Sequence, residues 1–239
     1  MLIKDFSNKV FLFVGHYPPP FGGIASLISE LMHVLKKTNS VSHILNFSDK
    51  NSISKVDGGT LHEKKNTIFI LFFFFLRSPK IFFKATRKIN QFNFKDIYFY
   101  MGVFNQAIII SLLIKKIKPN SITIYGSVPG AIIPFIELLN PGNKINYCVF
   151  AHMYEHKSFY HKHRKHYREA LAISNKVFAT SLFCSKSISY LNNKIKADVI
   201  FIGVDTKKFK PIVNKNPIRK LYNIPADCFV VLSVARMLP

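Results

Sequence analysis

The sequence predicts an α/β protein built on a doubly wound, mostly parallel sheet. Three observations predict it. Short apolar runs, too brief for helices of their own, alternate with stretches whose apolar residues recur at helical steps, most regularly from Asp96 to Ile202. Glycine and proline fall mainly between these runs. The first run, Val10 to Val14, leads into a glycine-bearing loop and then a helical pattern, which is the order in which α/β proteins build an anion site.

Taken in order, Gly15 ends the first run, and Pro18, Pro19 and Pro20 forbid helix by fixing φ and removing donors. Gly22 and Gly23 follow. Ile24, Leu27, Ile28, Leu31, Val34 and Leu35 then mark one face of an amphipathic helix ending in Lys36 and Lys37, where cations suit the negative helix end. The two glycines either let a ligand approach the backbone or only make the turn, and spacing leaves both readings open. The stretch has neither G-x-G-x-x-G nor G-x-x-x-x-G-K-[ST], so it is not a dinucleotide fingerprint or a P-loop.

Val41 to Phe47 reads as a second strand and Ser48 to Asn66 as a loop. Ile68 to Leu76 is a buried strand or the start of a helix that continues through Ile81, Phe82, Ala85 and Ile89, because periodicity does not separate these. Strands are expected at Asp96–Met101, Ser121–Tyr125, Ile145–Ala151, Lys176–Thr180 and Asp198–Ile202. Helices are expected at Gln106–Ile117, Ala131–Leu139, Tyr160–Ile173 and Cys184–Leu191. Gly203 to Pro217 reads as a linker with Pro211 and Pro217 among lysines. Ile218–Ile224 reads as a helix, and Phe229–Val234 as a fresh strand. The expected organisation is residues 1–202 as one domain, 203–217 as linker and 218–239 as the incomplete beginning of a second.

With 239 residues, 49% of them hydrophobic, the chain is long enough to bury a core without staples. Its net charge of +22 favours anionic partners such as nucleotide phosphates, an acidic membrane surface or nucleic acid, although Lys-, Ile-, Asn- and Phe-rich composition raises charge without any partner. Cys148, Cys184 and Cys228 are far apart and form no C-x-x-C, so neither zinc nor a disulfide framework is indicated, and a reducing cytoplasm is expected. The N-terminus does not read as a signal peptide, and no uninterrupted apolar run reaches the ~18 residues of a membrane span. Ile68–Leu76, flanked by lysine and arginine, suits ordinary core and also suits a surface that dips into a bilayer. Nucleic-acid binding has only charge in its favour, with no motif behind it.

His152 follows the strand Ile145–Ala151, and in doubly wound sheets ligands bind off the carboxyl ends of strands. An imidazole there can donate to phosphate or hydroxyl, or transfer a proton near neutrality; a loop histidine can also be merely solvated. His156, His161, His163 and His166, with Lys157, Lys162, Arg164, Lys165 and Arg168, read as a basic surface near an anionic ligand. His152 and His156 have i, i+4 spacing, but HMYEH is not H-E-x-x-H, so no metal is expected.

Four segments carry a resemblance. YPPPFGGIASLISELMHVL (Tyr17 to Leu35) resembles the opening loop and first helix of family 4 glycosyltransferases. VFAHMYEH resembles that family's strand-then-histidine segment. VIFIGVDTKKFKP resembles its end-of-first-domain segment V-I-x-N-G-V-D-x-x-x-F-x-P, matching at Gly203, Val204, Asp205, Phe209 and Pro211 and departing at Ile202, where the asparagine stands. IRKLYNIPADCFVVLSVARMLP resembles the opening of the second domain. The resemblance implies a GT-B fold of two Rossmann-like domains and a retaining transferase that uses a nucleotide-sugar donor. It implies that Gly22 and Gly23 lie near donor diphosphate and acceptor, that His152 contacts donor sugar and phosphate, and that Arg236 clamps the donor's phosphates, a post suited to the guanidinium fork. No cofactor is expected.

The lysine–glycine and paired glutamates of the family's second domain are absent from these residues, so the chain corresponds to about the first half of the family's length and is expected to be inactive, or nearly so, alone. The implied setting is cell-surface polysaccharide or lipopolysaccharide synthesis in the cytoplasm, peripheral to the membrane, with a lipid-linked or saccharide acceptor. The alternative is a non-catalytic truncated module that holds anionic lipid or a partner protein. The central geometric expectation is that the diglycine, His152 and Arg236 converge on one phosphate-lined cleft at the strand ends.

Overall fold

The computed structural model describes residues 6–15, 23–46, 59–63, 78–89, 94–126, 130–149, 164–204, 206–207, 209–211, 216–225 and 227–232. The chain divides into two compact units, Met1–Ile202 and Gly203–Pro239. The first contains β1 (Val10–Gly15), α1 (Gly23–Lys36), β2 (Val41–Asn46), β3 (Thr60–Glu63), α2 (Pro79–Ile89), α3 (Phe94–Ile117), β4 (Ser121–Tyr125), α4 (Ile133–Leu139), β5 (Ile145–Val149), α5 (Arg164–Ile173), β6 (Lys176–Ala179), α6 (Leu182–Leu191) and β7 (Asp198–Val199). The strands form one seven-stranded sheet in the order β3-β2-β1-β4-β5-β6-β7. Every neighbouring pair is parallel, as the α/β alternation predicts.

β1 is the inner strand on which both halves of the sheet are laid. Its apolar run buries both faces: Leu12 and Val14 lie in the cluster with α2 to α6, and Phe13 in the cluster with α1. The split follows from the winding. From β1 the chain steps to β2 and β3 in one direction, then from β4 to β7 in the other, and crossovers of constant hand place the helices of the two halves on opposite faces. On one face Ile28, Met32 and Leu35 of α1 pack with Phe13, Ile44, Tyr125 and Cys148. On the other, α3 lays Tyr100, Val103, Phe104, Ala107, Ile108 and Ile114 against Leu12, Val14, Ile122 and Ile124. Each fully buried side chain of this size contributes about 1.5–3 kcal/mol relative to exposure.

Asparagines fix the register at the amino ends. Asn120 donates its N–H to the Val10 carbonyl at 2.8 Å and accepts from the Val10 N–H through Oδ1 at 2.7 Å. Asn175 does the same to Ile145, at 2.8 and 3.0 Å. The residue entering each strand is thereby held to the start of its neighbour on both backbone groups.

Two sequence expectations are corrected. Asp96–Met101 is not a strand; it lies in the first two turns of α3. Its aromatics favour strand in isolation, but the buried positions Tyr100, Val103, Phe104, Ala107, Ile108 and Ile114 recur at helical steps and carry the segment into one helix. The missing strand is instead Thr60–Glu63, inside the segment expected to be a loop, where Gly59 admits β2 so closely that a Cβ would stand 2.7 Å from the Ser42 carbonyl oxygen. Ile81–Ile89 is helical, within α2, whereas Ile68–Leu76 lies outside the described residues. Phe99–Ile117 of α3 is long and apolar enough to cross a membrane, with polar residues interrupting the run, and 56% of its most apolar window is buried inside this chain.

The second unit carries one described helix, α7 (Asn216–Leu221). Arg219 ties it to the following turn, donating from Nη1 to the Pro225 carbonyl and from Nη2 to the Cys228 carbonyl at 2.5 and 3.0 Å. The strand expected from Phe229 is absent among the described residues 229–232, and Phe229 is 92% exposed there. A strand needs a ladder partner, and none of the described residues supplies one.

At the β3 edge, His43 Nδ1 and His62 Nε2 stand 3.1 Å apart, an interaction that needs one ring to donate and the other to accept. Burial lowers the pKa of His43, and burial, then His43, then Lys116 lower that of His62. The folded chain therefore binds these protons less readily than the unfolded chain, so their contribution is present above the ordinary histidine range and is lost as pH falls through the lowered values. Urea midpoints measured from about pH 7.5 down to about 5 should fall, and His62→Gln should flatten part of that fall. Equal slopes for wild type and variant would remove the pair from the account.

Candidate functional site

In an open parallel sheet the winding reverses at one place, where no crossover covers the carboxyl ends of two adjacent strands. Here that place lies between β1 and β4, neighbours in the sheet but far apart in sequence. Gly15 ends β1 and Tyr125 ends β4, and a Cβ on Gly15 would stand 3.2 Å from Tyr125 Cβ and 3.1 Å from Ile28 Cδ1. The same Cβ would lie 3.5 Å from Ile24 Cγ2, so the first turns of α1 pack directly over the end of β1. Asn46 ends β2 opposite Gly15.

Gly23 is the first residue of α1 at this edge, and a Cβ there would meet nothing within 4 Å. The helix's first turn holds no acidic residue, so its partial positive end is not offset from within. Gly22, His152 and Arg236 lie outside the described residues. Of the expected constellation, the structure thus places Gly23 at the carboxyl edge. His152 follows β5, two strands from β1, by three residues of sequence.

Beyond β4 the chain turns on Gly126, whose φ of 92° belongs to the left-handed region and whose N–H donates to the Cys148 carbonyl at 3.1 Å. Gly130 returns an N–H to Gly126 at 3.1 Å and sits so close to Tyr147 that a Cβ would overlap its hydroxyl. His166 of α5 reaches the next carbonyl: Nε2 lies 2.5 Å from the Ala131 oxygen, and since a carbonyl only accepts, Nε2 carries the proton. Its ring packs against Tyr100 and Phe135, with centroids 5.0 and 5.4 Å away.

This corrects the reading of His166 as part of a basic surface. It is 1% exposed and holds the loop after β4, while Lys165 and Arg168 of the same helix face solvent. The available signals were the pair Gly126 and Gly130 bracketing a strand-to-helix loop, and the helical spacing of His166, Tyr167, Ala170 and Leu171.

The floor of this edge does no acid–base work at neutral pH. Burial, with a smaller effect from Cys148, raises the Tyr125 hydroxyl far above its usual range. Burial, then Cys184, pushes the Cys148 thiol up to about 12. Both stay protonated and serve as packing. Among the described residues no three His, Cys, Asp or Glu side chains gather as metal ligands. What the edge offers among the described residues is a helix N-terminus without acidic residues beside a floor held neutral, an arrangement suited to an anion.

The glycines separate by substitution. Gly15→Ala should lower the unfolding free energy by about 1–3 kcal/mol through overpacking, and Gly130→Ala at least as much. Gly23→Ala should stay within about 1 kcal/mol of wild type, because its site is open and helical. Urea denaturation reads all three, and a Gly23→Ala chain as unstable as Gly15→Ala would make Gly23 a packing residue.

No protein-family model matches the chain, and no curated protein matches it. Solved structures do. A sucrose-phosphate synthase from Thermosynechococcus elongatus shares 13% identity at a TM-score of 0.55, over 92% of this chain and 54% of its own. An α,α-trehalose-phosphate synthase (UDP-forming) from Burkholderia xenovorans, in complex with glucose-6-phosphate, shares 9% at 0.53, over 84% and 51%. An E. coli trehalose-6-phosphate structure bound with UDP-2-fluoro glucose shares 11% at 0.51, over 90% and 54%. The chain spans about half the length of these structures. The chain accordingly has the Rossmann-like α/β fold of the N-terminal part of a GT-B glycosyltransferase.

Proposed function

We propose that this chain is the acceptor-side part of a retaining family 4 glycosyltransferase. The intact enzyme moves a sugar from a nucleotide-sugar donor to a lipid-linked or saccharide acceptor in the synthesis of cell-surface polysaccharide or lipopolysaccharide. It works in the cytoplasm at the inner face of the membrane. The observation that carries the reading is the position of Gly23, opening a helix with no acidic first turn beside the β1/β4 switch point. The motifs around His152, Gly203 and Arg236, and a fold shared with structures of sugar-phosphate synthases, support it.

In the transfer, the acceptor oxygen bonds to the anomeric carbon, and the bond from that carbon to the diphosphate breaks. The diphosphate leaves with the electron pair and takes up the proton that the acceptor hydroxyl releases. Gly22 and Gly23 present backbone N–H groups to the anionic ligand, where a larger side chain would stand in its way. His152 hydrogen-bonds the donor sugar and orients it. Arg236 holds phosphate through its fork of donors.

Deletion of the intact enzyme's reading frame in its source organism, followed by composition and linkage analysis of the surface glycan, tests the reading. Loss of one sugar residue is expected, restored by the wild-type frame. His152→Ala should restore transfer about 10- to 100-fold less well, the worth of one hydrogen bond to a polarised group. An unchanged glycan in the deletion strain would overturn the assignment.

A further inference from the structure

One side of α2 is exposed and stands outside the residues proposed for sugar transfer. Lys80, Phe83, Lys84 and Arg87 stand at i, i+3, i+4 and i+7, so they share a single stripe of the helix. All four are exposed, Phe83 to 62%. The opposite side packs Ile81, Phe82 and the buried Ala85 against the sheet cluster. Phe82 lies 6.3 Å from Phe104 of α3 and 6.4 Å from Phe83, centroid to centroid, so the exposed ring stands beside a neighbour anchored in the core.

Solvated helix faces usually mix signs, and α2 does not: PKIFFKATRKI contains no Asp or Glu. α1, α3, α4 and α5 carry Glu30, Asp96, Glu137 and Glu169; α6, which also lacks acids, has Lys186 as its lone cation, and in the six-residue α7 one of two cations, Arg219, is engaged by backbone carbonyls. An uncompensated cationic stripe with a large apolar ring is the composition of a helix that lies in the plane of a bilayer interface. A nucleic-acid strand would be attracted by the same charges, but it is held in a charged groove with successive stacking platforms, and α2 offers one ring on a helix surface.

We propose that the outward side of α2 docks the chain on an anionic phospholipid surface. Lys80, Lys84 and Arg87 pair with headgroup phosphates, and Phe83 enters the acyl boundary. The inference rests on the membrane-surface part of the proposed function and names the element that makes the contact.

Sedimentation of the full chain with vesicles of phosphatidylcholine, with and without phosphatidylglycerol, is the test. Wild type should bind only the anionic vesicles. Each interfacial cation is worth about fivefold in partitioning, so Lys80→Gln/Lys84→Gln/Arg87→Gln should weaken binding about 100-fold. Phe83→Ser should weaken it about tenfold. Lys186→Gln/Lys194→Gln/Lys196→Gln removes the same charge from exposed positions elsewhere and should cost only a few-fold. Circular dichroism confirms that each variant is folded. An equal loss in both triple variants would overturn the role of α2 and leave diffuse charge attraction. No binding by wild type would overturn the membrane reading as well. Release of wild type from vesicles by single-stranded RNA at equal phosphate concentration would assign the stripe to nucleic acid instead.

Discussion

The parallel pairing of β1 with β4 is the constraint on which the molecule depends. These strands are separated by more than a hundred residues, yet they exchange ladder bonds from Phe11 to Val14. Asn120 holds their amino ends with two further bonds to Val10. Because β2 already occupies the other side of β1, the chain must wind away in the opposite direction from β4 onward. That reversal decides which face each helix covers, and it leaves the carboxyl ends of β1 and β4 without a crossover above them. The opening comes from topology, and the residues around it are then free to specialise.

They do so in two ways. The strand residues at the opening are small or locked: Gly15 under Ile28, Tyr125 and Cys148 held neutral by burial. Of the residues proposed to touch substrate, Gly23 takes the first position of its helix, and Gly22, His152 and Arg236 lie outside the described residues. Rigid scaffold and adaptable loop is the usual division of labour in α/β proteins, and one sheet hosts many reactions for that reason.

Legibility in the sequence followed how each element is stabilised. β1, β4, β5 and β6 are apolar runs bounded by breakers, and they stand in the structure within two residues of where the runs end. α1 is legible from its stripe, of which Ile28 and Leu35 bury and Ile24, Leu27 and Leu31 are half-buried, but Val34 is exposed and Met32, outside the stripe, takes the buried place. β3 is not legible, because Thr60–Glu63 is polar and owes its existence to pairing with β2, a non-local interaction with no trace in local composition. Asp96–Met101 reads as a strand because its five aromatic and aliphatic residues fit a strand as well as a helix until the next three turns are included. Gly23's position at the start of α1 is legible from its place between strand and helix. His166 reads as surface in the sequence because a histidine among lysines and arginines looks solvated, and only the packing of Tyr100 and Phe135 around it reveals the interior position.

The margins of the sheet have a consequence of their own. Among the described strands one margin is β3, four residues long and carrying His62, and the other is β7, two residues long. A margin that short exposes few unpaired peptide groups, and ionisable side chains beside it discourage a second copy from zipping on. A protein this apolar and aromatic would otherwise risk growing into fibrils through its ladder. Here strand recruitment between copies is curtailed at both ends, and crowding in the cell can bring such chains together without joining their sheets.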